Sequence, residues 1–293
     1  MPEPPTAIEG TVEPVTDTPP AQYVDPRRVL TVMGAEGDAR IRAMSAPQIV
    51  VLGVVAGGFI TMGALFSVLL GAGVEAEGPQ RLVEGLGFSA GFFFVILSGA
   101  VLFTEANVTL PATIARRGRL SACLLIVRFW GLAWLGNLLG AVAVGFLIHV
   151  AQDYPGDVTG LLGELVDRKM AYRKDGGASA WGELILSGAL ANWLVGMAAF
   201  FAVMGRTLIG KYVPVFLAVT LFVSANFQHS PANMGYFSLV MPEGTGPGWG
   251  AALAWNIMPV GIGNILGGAA LVVLPFWFAL DHGRRRGATP EIR

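Results

Sequence analysis

Polar and charged residues in this chain are gathered into short stretches rather than scattered, and long apolar segments run between them, at about residues 47–70, 84–115, 120–150, 180–204, 210–240 and 251–280. Roughly 20 or more mostly apolar residues, wound as a helix, are enough to cross a hydrocarbon core about 30 Å thick. A spanning segment must satisfy its own backbone, which leaves helices or a closed barrel, and the alternating polarity of barrel strands in runs of about 10 residues is missing. The pattern predicts an all-α integral membrane protein with six spans.

Two segments carry polar interruptions: Phe103-Thr104-Glu105-Ala106-Asn107 in the second and Asn226-Phe227-Gln228-His229-Ser230-Pro231 in the fifth. The two halves of the chain also match in outline. Gly136-Asn137-Leu138-Leu139-Gly140-Ala141 in span three mirrors Gly263-Asn264-Ile265-Leu266-Gly267-Gly268 in span six, an offset of 264 − 137 = 127, and the interruptions are offset by 229 − 104 = 125. Three spans per half invert the second copy, so the interruptions are expected to approach mid-membrane from opposite faces, as in transporters built from inverted repeats. Irregular backbone at that depth is tolerated only when buried in protein or lining a cavity. A pathway accounts for both breaks at once; for either break alone, a purely structural kink is the alternative.

Composition agrees with this reading, since 54% of the 293 residues are hydrophobic and 13% charged, against about 25% charged in soluble domains. With 19 basic and 20 acidic residues, the net charge gives no reason to expect a nucleic-acid partner. The one cysteine, Cys123, excludes an intrachain disulfide framework and a cysteine-based metal site. Neither a metal nor a cofactor is expected.

The charge distribution sets the domain order. Residues 1–26, rich in proline and acidic residues, read as a disordered tail with no signal-peptide pattern, and 27–45, with Arg27, Arg28, Arg40 and Arg42 among apolar residues, as an amphipathic helix at the membrane surface. Residues 46–281 form the transport domain and 282–293 a basic tail. With six crossings, the arginines at 27–42, Arg116, Arg117 and Arg119, then Arg206 and Lys211, and last Arg284, Arg285 and Arg286 fall on one side. The positive-inside rule makes both termini cytoplasmic, in a bacterial-type inner membrane. The linker between spans three and four is the exception, carrying Arg168, Lys169, Arg173 and Lys174 beside acidic residues on the outer side; it is either a solvated mixed-charge loop or a collector of anions.

Of three histidines, His149 and His282 lie at span ends, whereas His229 lies within the fifth span's interruption. An ionisable residue at membrane depth is a functional candidate, and histidine can donate a hydrogen bond or a proton to a passing anion; a packing histidine is the alternative. Thr104 is the mirror-related hydroxyl, a partner for His229 or a cap for a broken helix. Glu105 would repel an anion unless protonated or paired, and could otherwise satisfy freed backbone amides.

The chain resembles the formate/nitrite transporter family in four motifs: Phe227-Gln228-His229-Ser230-Pro231-Ala232-Asn233-Met234; Asn256 to Gly268; Ala191-Asn192-Trp193-Leu194-Val195; and Leu102-Phe103-Thr104. The resemblance covers about residues 45–280. It implies an aquaporin-like six-span protomer, an inverted 3+3 repeat with two interrupted helices, assembled as a homopentamer with one pore per subunit. It also implies His229 as the central pore histidine, Thr104 as its loop partner, Asn264 as a polar lining residue, with Asn192, Glu105 and Gln228 also at the pore, and Phe88, Phe92 and Phe222 as apolar constrictions, for which helix packing is the other reading. Two positions depart from the family pattern. Gln228 stands where a glutamate is usual, and the basic residue expected 16 positions ahead of Asn192 falls on Gly176, with Lys174 and Arg173 close by as candidate entrance cations.

The resulting expectation is transport of a small monovalent weak-acid anion such as formate or nitrite, linked to protons because low dielectric disfavours a carboxylate's charged form. A serine–histidine intramembrane hydrolase is disfavoured, since Ser98 and Ser187 lie in Leu-Ser-Gly contexts with no preceding Gly-x. A neutral-solute pore lacks its paired Asn-Pro-Ala loops, and a non-transporting sensor homologue stays open.

Overall fold

The computed structural model describes residues 23–117 and 122–281. The expected tail over residues 1–26, apart from its last four positions, and the basic segment 282–293 lie outside the described residues. Among those described, the regular elements are helices: α1 (Pro26–Ala43), α2 (Ala46–Gly71), α3 (Glu77–Ser98), α4 (Phe103–Arg117), α5 (Cys123–Ala151), α6 (Gly156–Met170), the single turn α7 (Tyr172–Asp175), α8 (Gly177–Met204), α9 (Leu208–Ser224), α10 (Ser230–Val240) and α11 (Trp249–Leu280). Five of them, α2, α3, α5, α8 and α11, are long and apolar enough to cross a membrane. The apolar α9 has 17 residues, too short to cross alone, and α10 continues it after a break.

The second break falls within its polar interruption, and the first falls just before its own, so that residues 103–107 open the half-helix α4. Helix α3 ends at Gly99, in the left-handed region at φ 67°, and α9 ends just before Asn226 at φ 55°. Glycine has no Cβ to clash there and asparagine is among the few side chains that tolerate it. After each break a half-helix restarts, α4 in the first half and α10 in the second.

The halves are held by seams of glycine. A Cβ on Gly136 would meet the Val50 carbonyl and Gly53, and one on Gly140 would meet the Val54 carbonyl, where α5 crosses α2. In the second half the same seam joins α11 to α8: a Cβ on Gly263 would meet the Ile185 carbonyl and one on Gly267 the Ala189 carbonyl. The offsets, 263 − 136 and 267 − 140, are both 127. Small residues let membrane helices approach to backbone contact, where packing replaces the missing hydrophobic drive. The outer surface is correspondingly apolar, with Phe66, Phe94, Leu124, Phe146, Leu186, Leu217 and Phe278 exposed.

Two elements differ from the sequence pattern. The stretch between spans three and four, expected as a polar linker, contains α6, which buries Val158, Leu161, Leu162, Leu165, Val166, Lys169 and Met170 against α10 and α2. Those positions recur every three or four residues, so one helical face is apolar despite the polar average. Helix α11 widens to π geometry at Leu253–Ile257, which carries Asn256; such widenings are frequent at functional sites.

The glycine seam gives a direct test. Gly140→Val should destabilise the purified protein by about 1–3 kcal/mol through overpacking, seen as an earlier thermal transition in detergent. Gly160→Ala on α6, where an added Cβ meets nothing within 4 Å, should leave the transition unchanged or slightly raised.

Candidate functional site

Each half-helix starts on an asparagine from the last, unbroken span of its own half. Asn137 of α5 accepts the Phe103 amide at 2.9 Å through Oδ1, and its Nδ2 donates to the Gly53 and Val101 carbonyls, both at 2.9 Å. Asn264 of α11 accepts the Ser230 amide at 2.9 Å, and its Nδ2 donates to Gly188 at 2.8 Å and Gln228 at 3.2 Å. All three partner groups of one set have their counterpart in the other. Both asparagines are fully buried, and a side-chain amide is suited to this place because it offers acceptor and donors at once to backbone that has lost its helical partners. Asn192 adds a third tie, donating to the Asn264 carbonyl at 2.6 Å and the Thr104 carbonyl at 3.4 Å.

At the junction of the half-helices lies a buried pair. His229 Nε2 and Thr104 Oγ1 are 2.8 Å apart, and His229 Nδ1 accepts the Ala232 amide at 3.1 Å as the cap of α10. An Nδ1 that accepts carries no proton, so the imidazole is neutral with its proton on Nε2, donated to the threonine hydroxyl. The amino ends of α4 and α10 both point to this pair, and helix amino ends favour negative charge. The site is therefore electropositive without a permanent cation at its centre.

Aromatic rings lead away from the pair toward α6. The Phe222 ring centroid is 5.3 Å from His229, Phe88 meets Phe222 edge-on at 5.8 Å, and Tyr236 stacks on Phe88 at 6.0 Å. Lys169 Nζ stands 4.8 Å from the centre of the Tyr236 ring. Lys169 belongs to α6, outside the spanning helices, and burial pushes its pKa down to about 7, with the neighbouring Arg168 charge acting the same way and Glu84 opposing. Phe92, one turn along α3 from Phe88, is fully buried in the same apolar cluster.

The remaining sequence candidates separate clearly. Glu105 does not cap amides. Its carboxylate receives Arg40 Nη1 from α1, with 3.3 Å to each oxygen, while Arg40 Nη2 reaches Glu36 at 3.0 Å. Gln228 turns away from the pair: its Oε1 accepts from Asn233 at 3.0 Å and Asn256 at 3.3 Å, and its Nε2 donates to the Asn226 carbonyl at 3.1 Å. A carboxylate could not make that last bond, so the glutamine suits this network. Arg173 and Lys174 lie exposed on α7, away from the rings. Sequence reasoning named Lys169 only among the linker's outer cations, without singling it out, and did not name Tyr236. Lys169 follows Leu165 and Val166 at helical spacing on the buried face of α6, a signal readable in the sequence once α6 is recognised as a helix.

Two half-helices of an inverted repeat that meet at a neutral donor pair, inside an all-α membrane protein, define a membrane transport protein of aquaporin-like architecture. The chain belongs to the formate/nitrite transporter family, whose model, described as "Formate/nitrite transporter", matches residues 27–278. It is 29% identical over 253 residues to a probable formate transporter of Methanothermobacter thermautotrophicus, covering 79% of this chain and 88% of that one. It is also 29% identical over 253 residues to the formate channel FocA of Escherichia coli (strain K12), covering 77% and 84%. Among solved structures, an "FNT family ion channel" superposes with a TM-score of 0.72 at 25% identity, over 86% of this chain and 98% of that one. A pentameric formate channel with formate bound shares the fold, with a TM-score of 0.65 at 23% identity over 80% and 96%.

Asn264→Ala would leave the buried Ser230 amide and the Gln228 carbonyl without their partner and remove a second bond from the Gly188 carbonyl. At about 1–3 kcal/mol for each buried group left unsatisfied, a loss of about 3 kcal/mol or more is expected, read as a lowered thermal transition. Asn137→Ala should cost a similar amount, since it holds the equivalent set.

Proposed function

We propose that the protein moves small monovalent weak-acid anions, formate or nitrite among them, across the membrane together with a proton. The observation that carries this reading is the neutral His229–Thr104 pair held between the amino ends of two half-helices. Such a centre stabilises an anion by hydrogen bonds and dipoles yet holds no cation that would trap it, and passage requires a site that binds weakly enough to release. On its way inward the anion leaves water for apolar walls at Phe88 and Phe222, where its charged form becomes costly and its basicity rises. Anion and proton then cross as the neutral acid, and His229 Nε2–H with the Thr104 hydroxyl holds the cargo wherever it is charged.

In this reading Phe88, Phe92 and Phe222 are the apolar constrictions, Asn264 and Asn192 hold the half-helices, and Lys169 rather than Arg173 or Lys174 draws anions to the aromatic wall. The protein lies in the inner membrane with both termini in the cytoplasm, so α6 and Lys169 face outward and α1, with Arg40, lies at the inner surface. Five copies form a ring, each with its own pore; the fold shared with a channel described as pentameric supports this. The relatives' names, transporter and channel, favour conduction over chemistry.

Stopped-flow uptake of formate and nitrite into liposomes holding the purified protein tests the proposal. Uptake should rise as external pH falls and be largely lost in His229→Ala. Wild-type protein that moves neither anion, while folded and reconstituted, would sink it.

Lys169 adds a second signature. With its pKa near 7, the side chain is charged below that pH and neutral above, so the anion concentration for half-maximal uptake should climb as external pH rises through about 7. Lys169→Gln should remove that step while leaving the general rise of weak-acid uptake with acidity.

A further inference from the structure

Glu84 lies on α3, one turn before Phe88, with 3% of its side chain exposed. Its Oε1 has no hydrogen-bond partner, and the closest cation, Arg168 Nη2, is 3.7 Å away. A closed guanidinium–carboxylate pair sits at about 2.7–2.9 Å, so this one is held open. Arg168 Nη2 is itself buried without a hydrogen bond, and so is Arg81 Nε, although Arg81 Nη2 pairs with Glu77 at 2.7 Å. Three buried polar atoms, two donors and one acceptor, thus stand unsatisfied around one cavity of about 20 Å³, which Lys169, Tyr236 and Phe222 also line. Unpaired buried charge is costly and seldom kept without use.

The charges facing Glu84 are Arg81 on its own helix and Arg168, Lys169 and the more distant Glu164 from α6; from α10 comes the Tyr236 phenol. Three basic side chains thus converge on one central carboxylate, with Glu77 held on Arg81 and Glu164 farther off, just outside the aromatic wall that leads to His229. The cavity has room for about one water, too little for a second carboxylate beside the first. A cargo anion reaching these cations therefore has to take the place of Glu84. The stem of Glu84 rests where Gly71 lacks a side chain, 2.9 Å from where a Cβ would stand.

We propose that Arg81, Arg168 and Lys169 form an outer capture site for small carboxylates and oxyanions, and that Glu84 is its built-in competitor, an internal anion which the cargo displaces. The inference rests on the transport reading for the direction of approach, but its core claim concerns binding. Competition from a tethered carboxylate keeps capture weak, so the anion is released toward the wall instead of being retained by three cations.

The test is titration of sodium formate into purified, detergent-solubilised full-length protein, followed by saturation-transfer NMR, with stopped-flow uptake in liposomes measured in parallel. Glu84→Gln, close to isosteric, should bind formate about tenfold more tightly and lower the concentration for half-maximal uptake, with slower maximal flux. Glu84→Asp should restore wild-type affinity, and Arg168→Gln should weaken binding. Equal, weaker or absent formate binding by a folded Glu84→Gln overturns the proposal, and a change in thermal transition without a change in affinity assigns Glu84 a structural role only. If wild-type liposomes move no anion but Glu84→Gln still binds formate more tightly, the transport reading falls and the capture site stands.

Discussion

A helix cannot break inside a membrane unless something replaces the hydrogen bonds it loses, and in this protein two asparagines do so. Asn137 and Asn264 each take one amide and one carbonyl from the ends of a break and one carbonyl from a neighbouring helix, with matching partners and nearly matching distances. Without them the amino ends of α4 and α10 would have no stable position in an apolar medium. His229 and Thr104 meet only because both half-helices are pinned in this way.

The same arrangement explains how the site can be attractive to anions and yet apolar. Fixed charge is kept off the centre. The cations stand at one end, on α6 and the first turns of α3, and Arg40 stands at the other, neutralised by Glu105 and Glu36. Between them lie rings, a neutral imidazole and a hydroxyl. Glu105, an unlikely neighbour for an anion path when taken alone, is accounted for by its partner on α1: the pair fastens the amino-terminal helix to the first turn of α4. Gln228, which departs from the usual glutamate, contributes an amide hydrogen that ties the left-handed turn at Asn226, while its Oε1 accepts from Asn256, whose Nδ2 also donates to the Lys169 carbonyl at the end of α6. Its position makes it a brace for the wall of the site rather than a lining group.

Much of this is legible in the chain itself. Long apolar runs, their polar interruptions and the offset of 127 between Gly136-Asn137 and Gly263-Asn264 are properties of the chain read in order. They fix an all-α membrane protein, an inverted repeat and the neighbourhood of His229 and Thr104, because span length and helix breaking depend on residues close in sequence. The helix α6 was less legible, since its apolar face is averaged away by the charges on its other side.

What only the tertiary structure decided is which distant groups share a bond. Arg40 and Glu105 are 65 positions apart and His229 and Thr104 125, and no local pattern specifies such pairs. The placement of Lys169 over Tyr236, and the open Glu84–Arg168 gap, are of the same kind. Both depend on how α6 folds back onto α10, which is set by the burial of Leu161, Leu165 and Val166 rather than by the charges themselves. The sequence determined where the helices run and where they break; packing determined which charges are paired, which are left open and what they face.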